Sequence, residues 1–314
     1  MQESEVLLYG LNKMDKQPLV SIIMNCYNGE EFLKEALDSI QNQTYNNWEL
    51  IFWDNQSTDN SKNIFKSYSD PRLKYHYAQE HHNLYSARNL AISVSKGDFI
   101  AFLDTDDTWI SKKIEIQLPY FDDPKVVLVY GNYWIHDQKK SMLTKIYSKT
   151  LPAGNILRYL LKDYFVGLLT IIVRRSVYEH LDNHFDSRFE MIGDFDFVIR
   201  LAFKGYFAAV QQPIASYRWH GKNISILHQD KLINEMEAWY EEKSANKEFS
   251  SINELLNLKN NITYLKGKNC IEGSDYFSAI KYFVLLPFSY SKLKLLVLII
   301  FPKHLVNYFT LLKR

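Results

Sequence analysis

The chain is predicted to be an α/β protein, with a Rossmann-like, mostly parallel sheet flanked by helices and followed by a C-terminal helical extension. Three observations carry that expectation. Apolar, β-branched runs alternate with segments of helical periodicity from residue 18 onward. Each run is apolar almost without interruption, as strands covered on both faces of a parallel sheet must be. From about His228 the strand signature stops and only helical patterning remains.

The elements follow in order. "PLVSIIMNCYN" (18–28) opens on proline and ends in polar turn residues, which reads as a buried strand. "GEEFLKEALDSIQNQ" (29–43) sets Phe32, Leu33, Ala36, Leu37 and Ile40 at helical spacing, with acids in the first turn. "WELIFWDNQSTDN" (48–60) is a second strand running into an Asx- and Ser-rich turn, and "SKNIFKSYS" (61–69) a second helix. "RLKYHYA" (72–78) is a short third strand. "NLYSARNLAISVSKG" (83–97) is a third helix, with Gly97 expected to close it. "DFIAFLDTDD" (98–107) is a fourth strand, apolar from Phe99 to Leu103. "VVLVYGNYWIHD" (126–137) is another, followed by a less regular stretch containing "LLTIIVRRSVY" and the helix-like "DFDFVIRLAFKG". The predicted organisation is a tail over 1–17, a domain over 18–226 with halves meeting near residue 130, and an extension over 227–314.

Composition narrows the function. Hydrophobic residues make up 46% and charged residues 23%, an ordinary globular balance. A formal net charge of +1 gives no global field for nucleic acid, so no such partner is expected. Cys26 and Cys270 stand in unrelated contexts, neither a disulfide framework nor a metal cluster, which suits a reducing compartment. The N-terminus carries acids where a signal peptide needs bases, so a cytoplasmic location is expected.

The C-terminal stretch is charged on one side only. After Asp275 there is no acidic residue, while Lys281, Lys292, Lys294, Lys303, Lys313 and Arg314 flank "FVLLPF", "LLVLIIF" and "LVNYFTLL". Each block falls short of the ~20 residues a membrane-spanning helix needs. Two readings compete: attachment of 276–314 to an anionic membrane surface, or a helical hairpin buried on the preceding domain with its lysines snorkelling to water. The charge asymmetry favours attachment.

Chemistry gathers where strands end. "NCYN", "DNQS" and "DTDD" each close an apolar run, and open parallel sheets bind ligands at the carboxyl ends of their strands. Asp104, Asp106 and Asp107 fall within four positions, where carboxylates raise one another's proton affinity unless a cation neutralises them. A hard cation such as Mn²⁺ or Mg²⁺ binds through one or two carboxylates together with substrate phosphates. An Asp-rich turn capping a helix that begins near Trp109 would use the same residues. The two neighbouring polar strand ends favour the metal.

These motifs, with "ARNLAISVSKG", "IGDFDFVIRLAFKG" and "YRWHGKNIS" in that order, resemble the family 2 glycosyltransferases, which have the GT-A fold. The resemblance covers roughly residues 18–226. It implies a nucleotide base held at Asn25 to Asn28 with Tyr27 stacking on it, Asn25 replacing the commoner Pro or Thr. Asp54 and Asn55 stand where the family usually has two aspartates, and Gln56 where it has glycine. An amide oxygen can accept the base's hydrogen bond, and plain turn chemistry accounts for Asn55 and Ser57 equally well. Arg88 is implied near the nucleotide, with an ion pair as its alternative. Asp104 and Asp106 match the family's D-x-D. Asp106 is implied in ribose contact and, with Asp107, in metal ligation, and His220 beside the metal or diphosphate.

Asp194 matches the catalytic aspartate, preceded by Gly193 where glutamate is usual. Asp196 is its rival, aimed elsewhere by helical spacing. The implied reaction is an inverting transfer from a nucleoside-diphosphate sugar, with UDP the first choice, to a hydroxyl of a glycan or lipid-linked saccharide. It would depend on Mn²⁺ or Mg²⁺ and run in the cytoplasm or at the inner face of the cytoplasmic membrane. The rivals are a catalytically inactive nucleotide- or glycan-binding paralogue and a sugar-phosphate nucleotidyltransferase. The second needs a Gly-rich, Arg-containing loop that "NCYNGEEF" lacks. A dehydrogenase is weaker still, since no G-x-G-x-x-G follows a strand.

Overall fold

The computed structural model describes residues 17–138, 142–148, 150–221, 223 and 228–301. Residues 1–16 of the expected tail, 222 and 224–225 of "YRWHGKNIS" and the basic positions in 303–314 lie outside the described residues.

Nine described strands form one sheet: β1 (Val20–Cys26), β2 (Trp48–Asp54), β3 (Leu73–Tyr77), β4 (Phe99–Phe102), β5 (Thr108–Trp109), β6 (Val126–Asp137), β7 (Met142–Ile146), β8 (Ile172–Arg174) and β9 (Tyr206–Trp219). Their order is β3-β2-β1-β4-β8-β6-β9-β5, with β7 off this path and paired with the Trp134–Asp137 end of β6. The four runs that read as parallel strands do pair in parallel: β1 with β2 and β4, and β2 with β3. Past β4 the sheet turns antiparallel, at β4–β8, β8–β6, β6–β7 and β9–β5.

The helices that cover this sheet are amphipathic, as their spacing requires. α1 (Glu30–Gln41) buries Leu33, Ala36, Leu37 and Ile40. α2 (Ser61–Lys66) and α3 (Leu84–Ser93) follow β2 and β3, and the Asn83 side chain caps α3 by accepting from the Ser86 N–H. Gly97 does not close that helix, which stops at Ser93. It is needed because a Cβ there would meet the Ser21 nitrogen at 2.4 Å and the Leu19 oxygen at 2.7 Å. α4 (Lys113–Gln117), α5 (Leu157–Lys162), α6 (Arg175–Glu179) and α7 (Gly193–Ala202) punctuate the middle of the chain. Beyond them come α8 (Gln229–Ser244), α9 (Lys247–Ser250), α10 (Leu255–Glu272), α11 (Tyr276–Leu285) and α12 (Tyr290–Ile300).

The chain divides into two compact units. The first comprises the described parts of Met1–Gly154, Val166–Ser187 and Lys204–Arg218 and holds the sheet. Its core runs from Val20, Ile22 and Leu50 through Ala101 and Leu103 to Ile172 and Ile214. The second comprises the described parts of Asn155–Phe165, Arg188–Phe203 and Trp219–Arg314, so α5 and α7 belong with the C-terminal helices although they precede β9. Within it Trp239 is fully buried and meets Phe195 and Phe249 edge-on. No described helix is long and apolar enough to cross a membrane.

Candidate active site

Three polar strand ends meet in the first unit. The Asn55 N–H donates to the Cys26 carbonyl at 2.8 Å, and the Leu103 N–H to the Ile23 carbonyl at 3.1 Å. A Cβ on Gly29 would lie 2.8 Å from Thr105 Oγ1, so the turn after β1 rests directly on the Asp-rich turn. Tyr27 is exposed, and its ring meets His81 edge-on with centroids 4.6 Å apart. Asp54 is buried and accepts from the Tyr75 hydroxyl at 2.5 Å and the Ser57 N–H at 2.7 Å. Burial, reinforced by that Asp54 contact, pushes the Tyr75 phenol well above its ordinary value.

Asn55 uses both ends of its amide on one backbone. Its Nδ2 donates to the His82 carbonyl at 2.7 Å and its Oδ1 accepts the His82 N–H at 3.1 Å. Gln56 takes the left-handed conformation with φ of 69°, and its side-chain nitrogen donates to the Gln79 carbonyl at 3.0 Å. A glycine would adopt that backbone without strain. The Asn25 and Trp53 side-chain nitrogens, paired in register across β1 and β2, are buried without hydrogen-bond partners.

The Asp-rich turn is held by two arginines from distant segments. Arg88, buried on α3, donates to Asp104 Oδ1 at 2.7 Å. Arg218, on β9, donates its backbone N–H to Asp107 Oδ1 and its Nε to the Asp106 carbonyl, both at 2.9 Å. Its guanidinium also pairs with Glu35 and lies over the Phe32 ring, 4.5 Å from the centroid. β5 makes this possible: Thr108 pairs with Ser216, which sets Arg218 beside the preceding turn. Trp109 therefore sits in a strand, and α4 starts only at Lys113.

Asp107 is buried, and that burial, with the charge of Asp106, drives its carboxyl well above the ordinary carboxylate range; the Arg218 N–H opposes the shift only in part. A cation would relieve this. Among the described residues no three His, Cys, Asp or Glu side chains form a metal-holding group. Asp106 and Asp107 offer hard oxygen ligands from two carboxylates, a set that fits Mn²⁺ or Mg²⁺ completed by phosphate and water.

In the second unit, Asp194 lies in the first turn of α7 and is half-buried. The backbone leading to it is clamped by Glu235 of α8, whose carboxylate accepts the N–H groups of Glu190 at 3.0 Å, Met191 at 2.9 Å and Ile192 at 3.2 Å. Asp196 is almost fully buried and accepts from Trp239 Nε1 at 2.9 Å and Arg200 Nε at 2.8 Å, which makes it part of the packing. The His220 N–H donates to Asn223 Oδ1 at 3.1 Å.

Arg218, His81, His82 and Glu235 were not singled out from sequence. Arg218 stands in "YRWH", two residues before the flagged histidine. The pair "HH" lies in the loop four and five residues beyond the third strand, between β3 and α3. Glu235 left no local signal, because its partners are backbone N–H groups more than 40 residues away.

A mixed sheet with polar carboxyl ends and an Asp-rich turn after its fourth strand defines an α/β protein whose candidate site lies at the strand ends. The model of glycosyl transferase family 2 matches residues 21–181, and the chain belongs to that family. It is 36% identical over 159 residues to the Escherichia coli UDP-Glc:alpha-D-GlcNAc-diphosphoundecaprenol beta-1,3-glucosyltransferase WfgD, covering 51% of this chain and 61% of that protein. It is 31% identical over 164 residues to the putative teichuronic acid biosynthesis glycosyltransferase TuaG of Bacillus subtilis, covering 51% and 64%. The matched region thus spans less than two thirds of either relative. Among solved structures, S. aureus TarS 1–349 superimposes with a TM-score of 0.64 at 16% identity, over 85% of this chain and 81% of that one. The mannosyltransferase PcManGT of Pyrobaculum calidifontis, in complex with GDP-Man and Mn²⁺, gives 0.59 at 17% identity, over 94% and 84%. These likenesses establish the GT-A fold.

Proposed function

We propose that the chain is an inverting glycosyltransferase moving a sugar from a nucleoside diphosphate, UDP in the first instance, to a hydroxyl of a lipid-linked saccharide or cell-envelope glycan. The observation that carries the reading is the Asp104–Asp107 turn, clamped by Arg88 and Arg218 where β1, β2 and β4 end. The acceptor class is taken from the relatives, one named for a diphosphoundecaprenol-linked acceptor and one for teichuronic acid synthesis.

Tyr27, backed by His81, offers a ring face for the base. Asn55 shapes the loop beside it and retains a second lone pair on Oδ1 for the ligand. Asp106 and Asp107 would hold Mn²⁺ or Mg²⁺, which when bound supplies charge neutralisation to the departing diphosphate. Asp194 takes the proton of the acceptor hydroxyl; the new O–C1 bond forms as the C1–O bond to phosphate breaks, and the nucleoside diphosphate leaves with the electron pair. Asp196 is spent on Trp239 and Arg200, which supports Asp194 as the base.

Calorimetric titration of UDP, GDP and dTDP, with and without Mn²⁺, on the wild type and Asp107→Asn tests the site. Metal-dependent binding of one nucleotide, lost in the variant, is the expected result. Asp194→Asn should keep that binding and lose transfer by about 10³-fold or more, within the range of a removed general base. Equal turnover in Asp194→Asn would remove it from the mechanism. Absence of binding by all three nucleotides would move the inactive-paralogue reading ahead.

A further inference from the structure

We infer that α11 and α12 form a docking face for an anionic lipid bilayer, lying in the plane of the membrane surface and not crossing it. This goes beyond the transfer reading and does not depend on it.

The two helices are apolar on both sides. Their inner side packs on Ile271 of α10, forming a small core with Ala279, Leu286 and Leu295, against which Tyr282, Phe283 and Leu298 pack. The approach to α10 is close: a Cβ on Gly267 would meet Leu295 Cδ2 at 2.7 Å. That side is therefore satisfied. The outer side of α11 exposes Phe277, Ile280 and Val284 at helical i, i+3, i+7 spacing. Phe288, in the connection, is 88% exposed, and α12 adds Leu293, Val297 and Ile300 at helical i, i+4, i+7 spacing. A water-facing helix would carry polar residues at these positions. Contiguous exposure on this scale marks an interaction surface.

Charge selects the occupant. Lys281 and Lys294 are exposed among these residues, and Lys292 lies along the inner edge, its ammonium donating to the Leu286 carbonyl at 2.6 Å. No acid follows Asp275 anywhere in the sequence. A two-fold contact between copies through this face would bring lysines of both copies together, and α11 and α12 themselves carry no carboxylate to offset them. An anionic lipid surface attracts each exposed lysine and takes up the apolar stripe beside them. With 10 and 11 residues, α11 and α12 are half the length needed to span, so they lie flat.

The test is co-sedimentation of the full chain with vesicles of phosphatidylcholine alone and with about one third phosphatidylglycerol, without donor or acceptor. The wild type should sediment with the anionic vesicles, and more weakly at 0.5 M salt. Phe277→Ser combined with Phe288→Ser should weaken binding by about 100-fold or more, since each buried aromatic contributes at least about tenfold. Lys281→Glu with Lys294→Glu should abolish the preference for anionic lipid. All four side chains are solvent-exposed, so an unchanged circular dichroism melt confirms the fold of each variant. Wild type left in the supernatant, or a serine variant sedimenting like wild type, would overturn the proposal. So would a concentration-dependent dimer in light scattering that the serine variant abolishes, which would assign the face to a second copy. Nucleotide binding, measured separately, reports on the transfer reading alone.

Discussion

Residues 99–103 are at most 7% exposed, whereas within 283–288 Val284, Leu285 and Phe288 are 67%, 70% and 88% exposed. As strings, "FIAFL" and "FVLLPF" are equally apolar. The first lies in and just beyond β4, between β1 and β8, with both faces covered. The second closes a helix whose inner side already fills a small core, and nothing described covers the outer side. Apolar content therefore says that a run needs a partner. Whether the partner is the rest of the chain is decided by the number of elements around it.

The largest effect that would sharpen this contrast is on stability. Ile100→Ala should lower the free energy of unfolding by about 2–5 kcal/mol through the cavity it leaves. Val284→Ala should change it by no more than about 0.5 kcal/mol. Urea-unfolding midpoints at equal slope measure both, and similar losses would break the comparison.

A second contrast lies inside the first unit. Lys113 is fully enclosed, its ammonium without a hydrogen-bond partner and 4.1 Å from the Trp109 ring centroid. Burial pushes its pKa well below the ordinary 10.5. Lys113→Met should stabilise the protein by about 1–2 kcal/mol at pH 7, as replacement of buried charges by apolar groups does. Between the lowered value and 10.5 the unfolded chain binds the extra proton, so wild-type stability rises with pH. The advantage of methionine should therefore shrink from pH 7 to pH 10. A constant difference would mean that Lys113 keeps its charge in the fold.

Glu49 is the opposite case, a buried acid that is fully partnered. Burial alone would raise its pKa, but Lys74, the Ser21 hydroxyl and the Lys96 N–H together bring it below the ordinary 4.5. The unfolded state then binds more protons near and below that value, so stability is present above it and lost on acidification. Glu49→Gln should flatten the acid limb of stability between about pH 5 and pH 3. An unchanged limb would assign the acid loss to other carboxylates.

The smallest effect is at Gln56. Glycine would relieve the left-handed backbone but give up the bond to Gln79, two terms of about 1 kcal/mol and opposite sign. Gln56→Gly should shift stability by less than about 1 kcal/mol, read from the same urea midpoints.

What could be read in advance followed from local periodicity. The four runs read as strands from residue 18 to 107 became the parallel half of the sheet, and the polar ends of three of them met on one side. The Asp-rich turn was visible for the same reason, because three acids behind a buried strand are a short-range pattern. The antiparallel half was less legible: β8 has three residues and β5 two, too few to show a period. Gly97 was misread as a helix stop because its requirement comes from Ser21, 76 residues earlier.

The partners of each functional acid were decided by tertiary structure alone. Asp104 meets Arg88, Asp107 meets the Arg218 backbone across 111 residues, and Asp196 is taken by Trp239 across 43. An amino-acid string specifies which groups are charged and how often apolar residues recur along it. Which charge neutralises which depends on how strands cross between them, and that information exists only once the chain has packed.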